Sequence, residues 1–277
     1  MARPDARRRL IVNADDFGRS RSINEAVVRA HNEGILTTAS LMVNEKDCDE
    51  AVSFAMENPR LGVGLHLTLL CGHSALPHAT IPGLVNERCE FTNSAVGAGM
   101  KYFFRQDLRA QIEREVDAQF EKFRQTGLKL DHVNGHLHMH LHPTVFSVLM
   151  QRATRWDIRR VRLTRDPFWI NAKIAGGSWL YRASHACIYQ ALSQWARSSL
   201  MQHSIRFTPQ VFGLLQNARV HERYVTKLLP KLPPGDSELY SHPSLDDFKN
   251  EFDALVSPAV RQLVRDLNIE LIRYQDL

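Results

Sequence analysis

Strand and helix signals alternate along most of this 277-residue chain, which predicts an α/β fold built on a parallel sheet. Two further observations sharpen that expectation. Apolar runs of strand length recur and are followed by helical periodicity or turn residues. The residues with obvious chemistry, Asp15, Asp16, His66, His136 and His242, all fall at or near the carboxyl ends of those runs. Carboxyl strand ends are where α/β barrels build active sites. A doubly wound sheet stays open as the alternative, although no glycine-rich phosphate loop follows the first strand and Gly18 stands alone.

Taken in order, residues 10–14 read as a buried strand ending at the two aspartates. Ser22-Ile-Asn-Glu25 has capping-box spacing and opens a helix that Gly34 closes. Residues 35–43 form the second strand, and residues 47–57 a helix stopped before Pro59. The third strand, 62–69, alternates strictly: Val63, Leu65, Leu67 and Leu69 share one face, and Gly62, Gly64, His66 and Thr68 the other. Residues 71–106 are an irregular insertion and 107–125 an amphipathic helix closed by Gly127. Residues 128–137 are a strand running into a histidine-rich segment, and 158–164 another strand. An aromatic insertion, 166–203, is expected to pack its rings internally. Residues 220–229 are helical, 238–241 form a short strand meeting His242-Pro243, and 269–274 a last strand. No boundary divides the chain, so one domain, 1–277, with two insertions is expected.

Bulk properties narrow the class. Hydrophobic content of 44% supports a core, no apolar stretch approaches a bilayer span, and the first nine residues lack a signal-peptide run. These features point to the cytoplasm. Cys48, Cys71, Cys89 and Cys187 show no paired spacing. The net charge of +5 comes largely from Arg7 to Arg9 and from Arg152, Arg155, Arg159, Arg160, Arg162 and Arg165. These read first as a solvated surface and second as a patch for peripheral contact with an anionic inner membrane surface. No recognition motif accompanies the charge, so a nucleic-acid partner is not expected. A homodimer is left open.

Adjacent carboxylates after a buried strand are a costly placement unless they serve chemistry. Neighbouring positions point differently, so Asp16 can bind a metal while Asp15 stays free as a base. His66 sits on a face where Gly62 and Gly64 leave a groove open to a ligand. His136, His138, His140 and His142 alternate at a period of two, which in an extended chain sends every imidazole to one face. A catalytic metal takes three protein ligands and keeps a position open. Asp16, His66 and His136, nearest the strand end, complete that set. Asn13, His138 and His140 are expected to support the ligands or face substrate, and His132 and His142 to be structural or exposed.

One divalent metal ion would polarise an amide carbonyl and acidify water. Asp15 would take the proton from that water, and His242 would protonate the departing amine. Two imidazoles favour Zn2+. The same trio suits non-haem iron oxygenases, but the carboxylate pair and a distant histidine fit hydrolysis better. A phosphoesterase would often want a second metal and more carboxylates. A simple metal-buffering or carbohydrate-binding module would not need Asp15, Asp16 and His66.

At these residues the chain resembles a family. Leu10-Ile-Val-Asn-Ala-Asp-Asp-Phe-Gly18, Gly64-Leu-His-Leu67, Asn134-Gly-His-Leu-His-Met-His140 and Tyr240-Ser-His-Pro243 look like signature blocks of the YdjC-like carbohydrate deacetylases. The similarity runs from about residue 8 to 244. It implies a distorted (β/α) barrel of the polysaccharide-deacetylase/glycoside-hydrolase type that removes N-acetyl groups from amino sugars such as chitooligosaccharides. By position it makes Asp16, His66 and His136 metal ligands, Asp15 the base and His242 the acid, with Mg2+ as the metal the family implies. Asn134 departs from the pattern, standing where the family often has an acid able to orient a ligand. Ala39-Ser-Leu-Met-Val-Asn44, Leu61-Gly-Val-Gly-Leu-His66, Ile81-Pro-Gly-Leu-Val85, Val211-Phe-Gly-Leu214 and Leu232-Pro-Pro-Gly235 resemble the hopanoid-biosynthesis-associated branch. That branch implies an N-acetylglucosaminyl hopanoid as substrate.

Overall fold

In a computed structural model that describes residues 7–216 and 219–277, the predicted alternation is realised. The expected lack of a leader concerns mainly residues 1–6, which lie outside the described residues. The chain begins with β1 (Arg8–Phe17), α1 (Arg21–Glu33), β2 (Thr38–Leu41), α2 (Cys48–Glu57) and β3 (Gly62–Leu67). It continues through α3 (Ala95–Phe104), α4 (Arg109–Gln125), β4 (Leu130–Gly135), α5 (Pro143–Arg152), α6 (Phe168–Ile174) and α7 (Trp179–Gln202). It closes with β5 (Gln210–Phe212), α8 (Glu222–Leu228), β6 (Gly235–Ser241), α9 (Lys249–Val256), α10 (Pro258–Asp266) and β7 (Ile269–Ile272).

All these strands pair in parallel in one sheet of order β4-β3-β2-β1-β6-β5. β1 is central. β6 lies along Arg8 to Ala14 on one edge, while β7 takes Arg8 to Ile11 and β2 takes Asn13 to Phe17 on the other. The expected strand at 158–164 is a seam of single bridges between the outer strands. Val161 pairs with Val133 and Arg160 with Arg206, and the Val211 amide of β5 donates to the Arg165 carbonyl at 3.0 Å. The curled sheet joined across this seam is the distorted barrel, and the doubly wound alternative does not form. Parallel pairing puts every carboxyl strand end at one rim, which gathers the site residues. Among the described residues no helix is long and apolar enough to cross a membrane.

Local signals were mostly followed, with two corrections. α1 is capped by Ser20, whose hydroxyl accepts from the Ile23 amide at 3.3 Å, while Ser22 of the expected capping box instead accepts from the Leu245 amide at 3.0 Å. The tertiary partner outcompetes the local one. The second correction concerns β3. Gly64 does not open a groove for a ligand, because a Cβ there would meet His132 Cε1 and the His132 carbonyl at 2.5 Å. Its bare backbone admits the buried His132 ring, which stacks on Tyr274 with centroids 4.3 Å apart.

A Gly64→Ala variant therefore overpacks the His132 site and should cost about 1–3 kcal/mol. Thermal denaturation should show a lowered midpoint. Gly176→Ala, where a Cβ meets nothing within 4 Å, should melt like the wild type. Equal midpoints for both variants would refute this account of Gly64.

Candidate active site

Where β1 leaves the sheet, its register with β2 shifts between Ala14 and Phe17, and Asp16 adopts φ +65°. Asp tolerates this left-handed conformation better than most side chains. A bulge of this kind re-aims side chains at a strand end, and here it sends adjacent carboxylates to different partners.

Asp16 faces two imidazoles. Its Oδ1 lies 2.9 Å from His136 Nδ1 and 3.2 Å from His66 Nε2, and its Oδ2 accepts from Arg19 Nη1 at 3.0 Å. One ligand atom from each of Asp16, His66 and His136 lies within 4.8 Å of the others, and all three side chains are buried. A carboxylate oxygen and two ring nitrogens suit a divalent cation. The remaining nitrogen of His66, Nδ1, is 2.7 Å from Asn134 Oδ1. The Asn134 amide donates to Asp15 and Ser40, so its oxygen is the atom left to accept from His66. That assignment keeps the Nε2 lone pair within the triad. Asn134 thus orients His66 without a carboxylate. Burial pushes the Asp16 carboxyl up, but His136 and His66 outweigh it and hold the group well below the usual range.

Asp15 lies outside the triad but is bound by a buried arginine. Arg162 Nη1 donates to its Oδ2 at 2.7 Å and Nη2 to its Oδ1 at 2.9 Å, with Asn13 and Asn134 adding donors to Oδ1 at 2.8 and 3.1 Å. Three donors crowd Oδ1 and one reaches Oδ2, so Oδ2 keeps accepting capacity. Arg162 had been grouped with a solvated basic surface, but it is fully buried. Its Nε donates to Glu238 Oε1 at 2.8 Å, Tyr274 donates to Glu238 Oε2, and the guanidinium lies 4.5 Å from the Tyr240 ring centroid. Burial raises the Asp15 carboxyl, and Arg162 with His66 overcomes that to keep it ionised.

The histidine segment is not extended. β4 stops at Gly135, and Leu137 and His138 take φ +48° and +58° within a pair of tight turns. The imidazoles therefore diverge. His138 Nε2 is 3.0 Å from the Tyr240 hydroxyl and its Nδ1 3.3 Å from Thr164 Oγ1. His140 Nε2 donates to the Arg162 carbonyl at 2.9 Å, fully buried, so it supports the arginine and does not face substrate. His142 Nε2 donates to the Gly99 carbonyl at 3.0 Å, and His132 Nε2 is 2.9 Å from Ser40 Oγ. Burial keeps His138 and His140 neutral, the latter pulled down to about 3. Asn13 is buried against Asp15, Ser40 and Thr38, a support and not a substrate contact.

His242 follows β6. Its backbone amide donates to Glu251 Oε2 at 2.6 Å, and its Nδ1 lies 3.7 Å from the same oxygen. Burial pulls the ring's pKa down, yet the Glu251 carboxylate more than offsets this and raises it to about 9. Asp15, His66, His136, His138, Tyr240 and His242 line one cavity of about 160 Å³. It shares His136, Leu137 and His242 with a cleft of about 650 Å³ bordered by Asp16, Arg19 and Phe248. The arrangement keeps both aspartates ionised, offers a protonated imidazole and can hold a cation at Asp16, His66 and His136. Sequence reasoning missed Arg162, Glu238 and Glu251. A charged residue within the apolar run Val161-Arg-Leu163 was a signal for the first, and nothing local marks the other two.

The chain matches a family model described as YdjC-like protein over residues 9–266. It is 42% identical over 160 residues to a carbohydrate deacetylase of Geobacillus stearothermophilus, covering 56% of this chain and 60% of that one. A chitooligosaccharide deacetylase of Proteus mirabilis is 35% identical over 147 residues, covering 52% and 54%. For these two, the match spans little more than half of the relative's length. A carbohydrate deacetylase of Clostridium beijerinckii aligns over 97% of this chain and its own full length at 28% identity. The fold is similar to a crystal structure from Enterococcus faecalis whose name proposes cellobiose-phosphate cleavage, with TM-score 0.73, 21% identity and 98% of each chain covered.

Asn134→Ala removes the acceptor that orients His66. Divalent-metal affinity, read by competition against a chelator, should fall about 10–100-fold, whereas Asn134→Asp should retain it. Unchanged affinity in the alanine variant would show that Asn134 does not set the His66 ring.

Proposed function

We propose that this chain, which belongs to the YdjC-like protein family, is a metal-dependent deacetylase of N-acetylated amino sugars. The observation that carries the reading is the Asp16–His66–His136 triad beside an arginine-fixed Asp15, with His242 lining the same cavity. The names of relatives as carbohydrate and chitooligosaccharide deacetylases support the same chemistry.

Asp16, His66 and His136 would hold a divalent cation, which would supply Lewis acidity to a carbonyl and lower the pKa of water toward ~7. Zn2+ fits two imidazoles and a carboxylate best. Asp15 acts as base through Oδ2, taking a proton from the water that attacks the acetyl carbonyl. Arg162 holds that carboxylate ionised and in register. His242, kept protonated by Glu251, gives its proton from Nε2 to the amine nitrogen as the C–N bond breaks, releasing acetate. His138, held by Tyr240 and Thr164, borders the space for the sugar.

For the substrate we infer an N-acetylglucosaminyl hopanoid glycolipid, on the strength of the five sequence blocks that resemble that branch. Soluble chitooligosaccharides are the second reading, favoured by the Proteus mirabilis relative.

Acetate release from N-acetylglucosaminyl hopanoid against N,N'-diacetylchitobiose, with metal content measured on the same sample, separates these readings. Release from neither sinks the deacetylase assignment. Asp15→Asn should abolish turnover with metal still bound. The pH profile carries a signed expectation. His242 is protonated up to about 9 in the metal-free protein, and the charge of a bound cation would lower that limit. Turnover should therefore decline on the alkaline side at or below it. Glu251→Gln removes the group that raises it, and the decline should move down toward neutrality.

A further inference from the structure

The expectation that the aromatic insertion packs its rings internally fails at its outer face. Trp169, Trp179 and Leu180 are 79%, 60% and 75% exposed. They are contiguous, because Trp169 and Trp179 both meet the Phe168 ring edge-on, with centroids 5.4 and 6.3 Å away. Beside them is a mainly apolar cavity of about 610 Å³ lined by Phe168, Ile170, Ala183 and Ala186, with Arg165 and the buried Asp166 also in its wall. An exposed apolar patch of this kind marks an interaction surface.

Charge identifies the partner. From Pro167 to His221 the sequence contains no Asp or Glu, and its only formal charges are Lys173, Arg182, Arg197, Arg206 and Arg219. Arg182 is buried against backbone carbonyls, and the other four are exposed. The other insertion repeats the pattern. α3 exposes Val96, Met100, Phe103 and Phe104, and no acid lies between Glu90 and Asp107. The two meet at the site, since Ala95 at the start of α3 and Tyr181, His185 and Tyr189 of α7 line the same cavity as His136 and His242.

We propose that α6 and α7, with α3 beside the same mouth, form a docking surface for an anionic phospholipid membrane. Exposed tryptophans insert at the headgroup level while lysines and arginines meet lipid phosphates. A two-fold contact with a second copy would set Lys173 and Arg219 near their own counterparts, without acids to answer them. Nucleic acid could use the basic residues and stack on the tryptophans but would leave Leu180 and the aliphatic residues of α3 unused. The proposal rests on the deacetylase reading for the chemistry at the mouth. It deepens that reading by bringing the site to substrates held in a bilayer.

The test is co-sedimentation of the full chain with phosphatidylglycerol–phosphatidylcholine vesicles against phosphatidylcholine alone, at low and high salt. Binding should favour the anionic vesicles and weaken with salt. Trp169→Ser/Trp179→Ser/Leu180→Ser and, separately, Lys173→Glu/Arg219→Glu should each reduce it about tenfold or more. Both variants should keep wild-type acetate release from N,N'-diacetylchitobiose and wild-type circular dichroism. No preference for anionic vesicles, or equal binding by the variants, overturns the proposal. So does a dimer in solution that the same substitutions dissolve. Vesicle binding without deacetylation of any amino sugar would refute the enzymatic reading alone. Deacetylation without vesicle binding would refute the docking surface alone.

Discussion

A guanidinium buried without access to water needs charged partners close enough to offset its desolvation. Arg162 satisfies that condition with Asp15 and Glu238, and the arrangement of the site depends on it. The residue stands in the barrel seam, Asp15 on β1 and Glu238 on β6, so one cation ties three neighbouring backbone segments together. Tyr274, just after β7, donates to Glu238 and stacks on His132. His132 in turn contacts Ser40, whose hydroxyl accepts from Asn13 and Asn134, and both of these donate to Asp15. The end of the chain therefore reaches Asp15 by two routes, one ionic and one neutral. This enclosure makes the carboxylate's ionisation and direction properties of the fold.

Backbone strain does the complementary work at the metal triad. Asp16, Leu137 and His138 all occupy positive φ without being glycine. Such conformations persist only where surrounding structure over-determines them, and they cluster at functional sites. Asp16 turns away from Asp15, and the turns at 136–141 release His136 toward Asp16 while tucking His138 and His140 elsewhere. The result is a trio of one carboxylate and two imidazoles able to hold a cation, with His66 set by a neutral amide. His242 stands apart, and its protonation is controlled from α9 through Glu251.

Much of the scaffold was legible because its signals are local. The run at 10–14, the alternation of 62–69 and the helix closed by Gly127 each show their period within a few residues, and each became β1, β3 and α4. Boundaries shifted where a distant partner prevailed, as when Ser22 met Leu245. The histidine segment failed as a strand for a related reason. Period two describes the residue types, but only a continued ladder would hold them extended, and β4 loses its partner β3 after Gly135.

By itself the sequence determined the parallel α/β framework, the rim at which the candidate residues sit and the choice of Asp15, Asp16, His66, His136 and His242 as those candidates, because strand ends and residue types are written locally. Only the tertiary structure decided which nitrogen and oxygen atoms converge, that Arg162 is a buried partner and not a surface charge, and that Gly64 makes room for His132. Those outcomes come from contacts between residues up to 147 positions apart, as between Asp15 and Arg162. At such separations, local pattern holds no record of which side chains will share a dry, charge-balanced interior.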